Sequence, residues 1–207
     1  MEIRTIRCQV LFESFDGTTL DVADLRATEA LDEGHEVVVD AVTNVPFAPA
    51  EVIGQTASAI FSLTEAEGDE RAFHGFVFDA GVKSVSDDVY RVRIVIKARL
   101  ALLGLGQATR IFQEMSVPDI VSQVLDDAGL SEGYLWETRG TYEPRLYVVQ
   151  QNESDLAFVM RLLADEGIGL AVRNEIDADR VVFFDTSPDL PEIEGETQLI
   201  ASTATLT

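Results

Sequence analysis

The 207-residue sequence predicts an α+β fold, with a strand-rich, barrel-like region over residues 1–103 followed by an α+β subdomain over residues 104–186. Three observations lead there. β-branched and aromatic runs with period-two alternation dominate the first half. After about residue 110 the apolar spacing changes to three and four. Two stretches of the second half then carry helix-end punctuation, a hydroxyl or acid at the start and a glycine at the stop.

The first clear strand is Glu36-Val37-Val38-Val39-Asp40-Ala41-Val42, followed by Pro46 and Pro49 as breakers. Val52 to Leu63 is expected to be a second extended stretch, interrupted only at Gly54, and Ala72-Phe73-His74-Gly75-Phe76-Val77-Phe78 a third. From Tyr90 to Lys97 the chain alternates: Tyr90, Val92, Ile94 and Ile96 face one way, Arg91, Arg93 and Lys97 the other. One face is buried and one is wet, which predicts an antiparallel sheet or barrel.

Ser116-Val117-Pro118-Asp119 predicts a helix start, because a hydroxyl caps free amides, proline has no amide to lose, and an acid at the third position meets the positive dipole end. The helix should run to Gly129, with Val117, Ile120, Val121, Val124, Leu125 and Ala128 as its apolar stripe. Leu146 to Gln150 then reads as a strand, Asn152-Glu153-Ser154-Asp155 as a cap, and Leu156, Val159, Met160 and Leu163 as the buried stripe of a helix stopped by Gly167. Ile168 to Arg173 and Arg180 to Asp185 form a hairpin around residues 174–179. Residues 187–207, with Ser187-Pro188, Pro191 and scattered acids, are expected to be a connector leading into a further strand region at Leu199 to Leu206.

Composition narrows the function classes. At 46% hydrophobic and 25% charged residues the chain is globular and not disordered. With Lys+Arg 15 against Asp+Glu 37 its formal charge is −22, spread through both halves, so phosphate backbones and anionic lipid are repelled. Neither nucleic acid nor a membrane surface is an expected partner. Cys8 is the only cysteine, which excludes an intrachain disulfide and a thiolate cluster. Met1-Glu2-Ile3-Arg4-Thr5-Ile6-Arg7 lacks the apolar core of a signal peptide, and no apolar run nears the ~20 residues of a membrane span. The chain is expected to be made in the cytoplasm and, if it leaves, to be exported by another machine.

Reaction chemistry is sparse. Gly104-Leu105-Gly106 opens like a dinucleotide loop, but Thr109 stands at the third glycine and no helix can develop before Ser116. His74, between Phe73 and Gly75, reads as a structural histidine at a sheet edge or packed face, and His35 as a turn residue beside Gly34. The adjacent acids Asp87-Asp88, Asp126-Asp127 and Asp165-Glu166 should point to different sides of their elements and not converge. Tyr134, Trp136 and Tyr142, near Arg139 and Arg145, have the chemistry to stack on a sugar or base, but core or subunit packing is the preferred reading. No catalytic, cofactor-binding or metal-ligating residue is assigned.

Several segments in a fixed order carry a family resemblance: Ala72 to Val77, Arg110-Ile111-Phe112-Gln113, Val117 to Val121, and Gln150 through Ile168, with Tyr142-Glu143-Pro144-Arg145 ahead of the last and Asp185-Thr186-Ser187-Pro188 behind it. From about Val10 onward the chain resembles the N-terminal portion of the VgrG family, the spike proteins of type VI secretion systems, and their relatives in contractile phage tail hubs. The motif positions are Phe73, His74, Gly75, Ile111, Phe112, Val117, Pro118, Pro144, Glu153, Ser154, Asp155, Leu156, Glu166 and Gly167. The resemblance gives them a structural role.

It also implies a non-enzymatic hub whose first region is a tube domain. Homotrimers with duplicated barrels would form a pseudo-sixfold ring on a hexameric tail tube protein, with a spike-tip protein and effectors as further partners. Export would follow contraction of the sheath, or the chain would be incorporated in a phage tail. Two departures stand out. The family's tryptophans after Tyr90 to Lys97 are replaced by Ala98-Arg99-Leu100-Ala101-Leu102-Leu103, and family members continue into a second barrel and a β-helix beyond the equivalent of Thr207. The chain is therefore expected to be a truncated N-terminal part. Because three copies triple a charge of −22, the isolated region is expected to be monomeric or weakly associated. The competing readings are a phage-type cell-wall hydrolase component and a small-molecule-binding β-barrel.

Overall fold

A computed structural model describes residues 7–13, 19–62, 70–175 and 177–186. Its first sheet contains β1 (Arg7–Phe12), β2 (Asp21–Thr28), β3 (Glu36–Thr43), β4 (Thr56–Ser62), β5 (Glu70–Ser86) and β6 (Val89–Lys97). The strands lie in the order β1-β4-β5-β6-β3-β2, every pair antiparallel. The sheet curls into a half-barrel that brings the edge strands β1 and β2 near one another.

Period-two alternation fixes which face turns inward. Val37 pairs with Ile96, Val39 with Ile94 and Ala41 with Val92, and all six side chains are buried. Each Val or Ile hidden this way contributes about 1.5–3 kcal/mol. A one-residue slip would instead turn Asp40 and Arg93 into the core, so the hydrophobic pattern pins the register. Val10, Ala59, Phe73 and Val77 complete this first core.

The expectation of an extended stretch from Val52 is corrected. Pro49–Val52 is a one-turn helix, α1, and β4 begins only at Thr56. Proline at the first helical position favours the turn, and Gly54 at φ 86° reverses the chain before the strand. Strands β1 and β2 had no sequence assignment; in β2 a register shift between Val22 and Asp24 breaks the alternation that would have revealed it.

Strand β5 is longer than its motif. Phe73 to Val77 are all buried, because the second region covers the outer face there, whereas Phe78, Val82 and Val85 farther along are exposed. Gly75 sits where the end of β6 closes on β5: a Cβ at this position would lie 2.0 Å from the carbonyl oxygen of Lys97. Only glycine allows this approach.

The second region opens with a 3-10 turn at Arg99–Gly104 and continues through β7 (Ala108–Phe112), α2 (Val117–Asp127), β8 (Tyr134–Glu137), β9 (Val148–Glu153), α3 (Asp155–Glu166), β10 (Gly169–Asn174) and β11 (Asp179–Phe184). β10 and β11 form the expected hairpin; β8 joins β11 in parallel, and β7 and β9 make a separate antiparallel ribbon. Ser116 caps α2 by accepting the Asp119 amide, Ser154 caps α3 by accepting the Ala157 amide, and Gly167 ends α3 in the left-handed region at φ 69°. The α2 stripe packs on Phe158, Val159, Leu162 and Leu163 of α3.

Two local expectations shift. The buried stripe of α3 is rotated, with Phe158 and Leu162 fully buried and Leu156 and Met160 only half-buried, because Phe158 stacks on Phe112 with ring centroids 5.5 Å apart. The strand expected at Leu146 begins at Val148, leaving Leu146 exposed. The connector at 187–207 and the strand expected within it lie outside the described residues.

Gly75→Ala should lower unfolding stability by roughly 3 kcal/mol or more, since a backbone carbonyl blocks the added methyl. Gly81→Ala, whose methyl meets open space, should change it by less than about 0.5 kcal/mol. Urea unfolding of both variants provides the comparison.

Candidate interaction surfaces

The two cores meet along a polar seam. Asp179, 2% exposed on β11, accepts three contacts from one residue's neighbourhood: the Arg99 amide at 2.7 Å, the Arg99 Nε at 2.6 Å, and, through its own carbonyl, an Arg99 guanidinium N–H at 2.6 Å. A buried carboxylate needs such a partner. Farther along, Asp32 donates its amide to the Leu170 carbonyl and accepts the Leu170 amide on its side chain, both at 2.9 Å. Asp32 adopts φ 60°, a conformation aspartate tolerates better than most residues. The His74 amide donates to Asn174 Oδ1 at 2.8 Å. These contacts lash β10 to β5 and to the β2–β3 loop, and β11 to the segment that leaves β6.

Inside the second region, carboxylates hold loops by collecting donors. Asp185 accepts the amides of Arg139 and Gly140, the Tyr142 hydroxyl at 2.8 Å and the Thr186 hydroxyl, which holds its carboxyl well below the usual range. The Tyr142 phenol is pushed up to about 12, by desolvation first and by the adjacent Asp185 second. Arg145 reaches both Asp165, at 3.4 Å, and Glu166, at 2.6 Å, so this adjacent acid pair does converge, on a cation. Asp126 and Asp127 diverge as expected, to Tyr134 and Arg110. Arg110 also meets Asp155 and the buried Gln150.

The motif residues are distributed over these structures and do not gather in one cleft. Phe73 and Phe112 are core side chains, Val117 and Pro118 open α2, and Ser154 caps α3. Asp155 pairs with Arg110, Glu153 with Arg161, and Glu166 with Arg145. Leu156 lines a cleft of about 410 Å³ at the seam, together with Leu100 and Met160. Pro144 and Ile111 are exposed. Trp136 stacks on Phe183 at 4.2 Å and Tyr134 leans on the same ring, so the aromatic group packs into the second core while Tyr142 serves Asp185. Among the described residues no group of three or more His, Cys, Asp or Glu could hold a metal ion, and no helix is long and apolar enough to cross a membrane.

Two strand surfaces each carry a group of exposed apolar side chains. Phe78, Val82 and Val85 lie along the far half of β5, and Ile111, Leu146 and Tyr147 on or beside the β7–β9 ribbon. Rows of this kind suit burial by another protein surface.

Residues 28–206 match the family model described as phage tail baseplate hub (GPD). The chain belongs to this family. It is 35% identical over 128 residues to the type VI secretion system spike protein VgrG4b of Pseudomonas aeruginosa, an alignment covering 61% of this chain and 16% of that protein. The Escherichia coli c3393 protein, a component of the type VI secretion system with structural similarity to T4 bacteriophage tail proteins gp27 and gp5, superposes with a TM-score of 0.78 at 25% identity, covering 87% of this chain and 50% of that one. The 43 kDa tail protein of prophage MuSo2 from Shewanella oneidensis shares the fold, with a TM-score of 0.58 at 13% identity over 85% of this chain and 52% of its own. The chain thus spans less than a quarter of the curated spike protein and about half of the solved structures. The VgrG-type hub assignment rests on these matches together.

The residues that sequence reasoning missed are the seam pairs, Arg99 with Asp179, Asp32 with Leu170, and Asn174 with His74. Their one available signal was Arg99, a lone cation in an otherwise apolar run after β6.

Arg99→Ala should cost about 3–5 kcal/mol in denaturant unfolding because Asp179 would be buried without its partner. Arg93→Ala, removing a cation 64% exposed beside Asp40, should cost no more than about 1 kcal/mol. In a spectrophotometric titration, Asp185→Asn should return Tyr142 from about 12 toward its ordinary value of 10, since the acceptor's negative charge is removed.

Proposed function

We propose that this chain is the ring-forming base of a contractile injection spike or phage tail hub, acting through surfaces and not through bond chemistry. The observation carrying the reading is the superposition of 87% of the chain on a type VI secretion component, in agreement with the hub family match over residues 28–206. The family's structural character supports a non-enzymatic role. In this reading residues 1–103 form the tube unit, 104–186 the α+β unit, and 187–207 lead toward the next part of the protein. The full-length protein forms a homotrimer that docks on a hexameric tail tube protein and carries a spike-tip protein and effectors. Delivery is by the contractile apparatus or by incorporation in a phage tail.

The motif residues serve this role as shape determinants. Gly75 lets the end of β6 close on β5, Pro118 and Ser154 start the helices, Gly167 turns the chain from α3 into β10, and Glu166 anchors Arg145. The exposed rows on β5 and the β7–β9 ribbon are candidate subunit or tube contacts, with apolar side chains that gain by leaving water.

Multi-angle light scattering tests the assembly. The 207-residue chain should be monomeric at micromolar concentration in moderate salt, because its charge of −22 repels like copies, and a protein extended through the spike should be trimeric. A monomeric extended protein would overturn the proposal. So would release of soluble fragments when the chain is incubated with purified peptidoglycan.

A further inference from the structure

Both histidines of the chain lie at the seam. His35, at the end of the β2–β3 loop, is 2% exposed and stands edge-on to Phe73 with ring centroids 5.3 Å apart, and neither of its ring nitrogens has a hydrogen-bond partner. His74 meets Ser58 Oγ through Nδ1 at 2.7 Å, while its Nε2 is buried and unpartnered. Native proteins satisfy nearly all buried polar atoms, so three orphan ring nitrogens in one place ask for a purpose. His35 also borders two clefts between the cores. One, of about 410 Å³, is closed on the far side by Leu156 and Met160; the other, of about 740 Å³, by Ala171 to Glu175. The His35 carbonyl accepts the Ala98 amide, immediately before the Arg99 clamp.

We propose that His35 is an acid-sensitive latch between the two cores: protonation of its buried, unpartnered ring drives it toward water and loosens the seam while each core stays folded.

The groups facing the ring offer no buried, unengaged counter-charge; Asp32, at the rim of the smaller cleft, spends its carboxylate on the Leu170 amide. On its own segment, Glu29 pairs with Arg71 of β5 and Glu36 with Lys97 of β6, while Glu33 is exposed at the cleft mouths. From β11, Asp179 is held by Arg99. At the β10 side, Arg173 pairs with Glu137 and Glu175 with Arg180. Desolvation outweighs the combined pull of Asp179, the His74 backbone and Glu29 and lowers the His35 pKa, and charge on the His74 ring opposes protonation further. An opened seam returns the ring to water, where histidine titrates near ~6.5. The open form therefore binds the proton more tightly, so the closed seam is favoured above about pH 6.5 and is lost progressively as pH falls toward the lowered folded value.

Hydrogen exchange on the full 207-residue chain, corrected for intrinsic rates, tests the latch between about pH 7.5 and about pH 5. The seam amides of His74 and Leu170 should lose protection at least about twofold, while those of Ile94 and Val124 in the two cores hold theirs. His35→Phe, which fills the site beside Phe73 without a titrating group, should flatten the seam response. The latch is overturned by seam protection that is constant over this range, by all four amides losing protection together, or by a response that persists in His35→Phe. Should that variant fail to fold, an NMR titration of the wild-type imidazoles decides: His35 titrating below the ordinary histidine value supports the latch, and at or above it overturns it.

Discussion

The end of β6 is pressed so tightly against β5 at Gly75 that only a residue without a side chain fits there, and this close approach is the constraint on which the rest of the structure depends. The same chain end places Ala98 on the His35 carbonyl and Arg99 on Asp179. Phe73 to Val77 are buried in succession because β5 is a wall shared by the half-barrel and the unit packed on it. A strand buried on both faces loses the polar alternation of a half-buried one, and here only His74 interrupts the apolar and glycine positions.

Charge is used economically in a molecule so rich in acid. Several of the scarce cations are committed to pairs within the chain: Arg99 at the seam, Arg110 beneath the α3 cap, Arg145 at the end of α3, and Arg173 across to Glu137. With 37 acids against 15 cations, the chain as a whole stays strongly negative. Exposed apolar side chains form two groups of three, one on β5 beyond the sheet core and one on or beside the small ribbon, and others such as Leu31 and Leu105 stand apart from them.

The elements most legible in the sequence were those set by neighbouring residues. The alternation from Tyr90 to Lys97 gave the correct faces, and Ser116, Ser154 and Gly167 marked helix ends where the caps form. Legibility failed where distant residues intervened. The α3 stripe was read from spacing alone, but Phe112 draws Phe158 inward and turns the helix. The parallel pairing of β8 with β11 left no trace because the partners are far apart in the chain. Asp165 and Glu166 converge only because Arg145 is brought between them by the ribbon.

Sequence by itself therefore determined the α+β class, the inward faces of the central strands and the helix boundaries, since each follows from interactions within a turn or along a strand. The motif order carried the family resemblance as well. Only the tertiary structure decided how the two cores are joined. Arg99 and Asp179 are 80 residues apart, His74 and Asn174 100, and Asp32 and Leu170 138, so no local pattern records their pairing. The burial of His35 follows from the same junction: its environment is made by segments that meet only once the two cores are packed together.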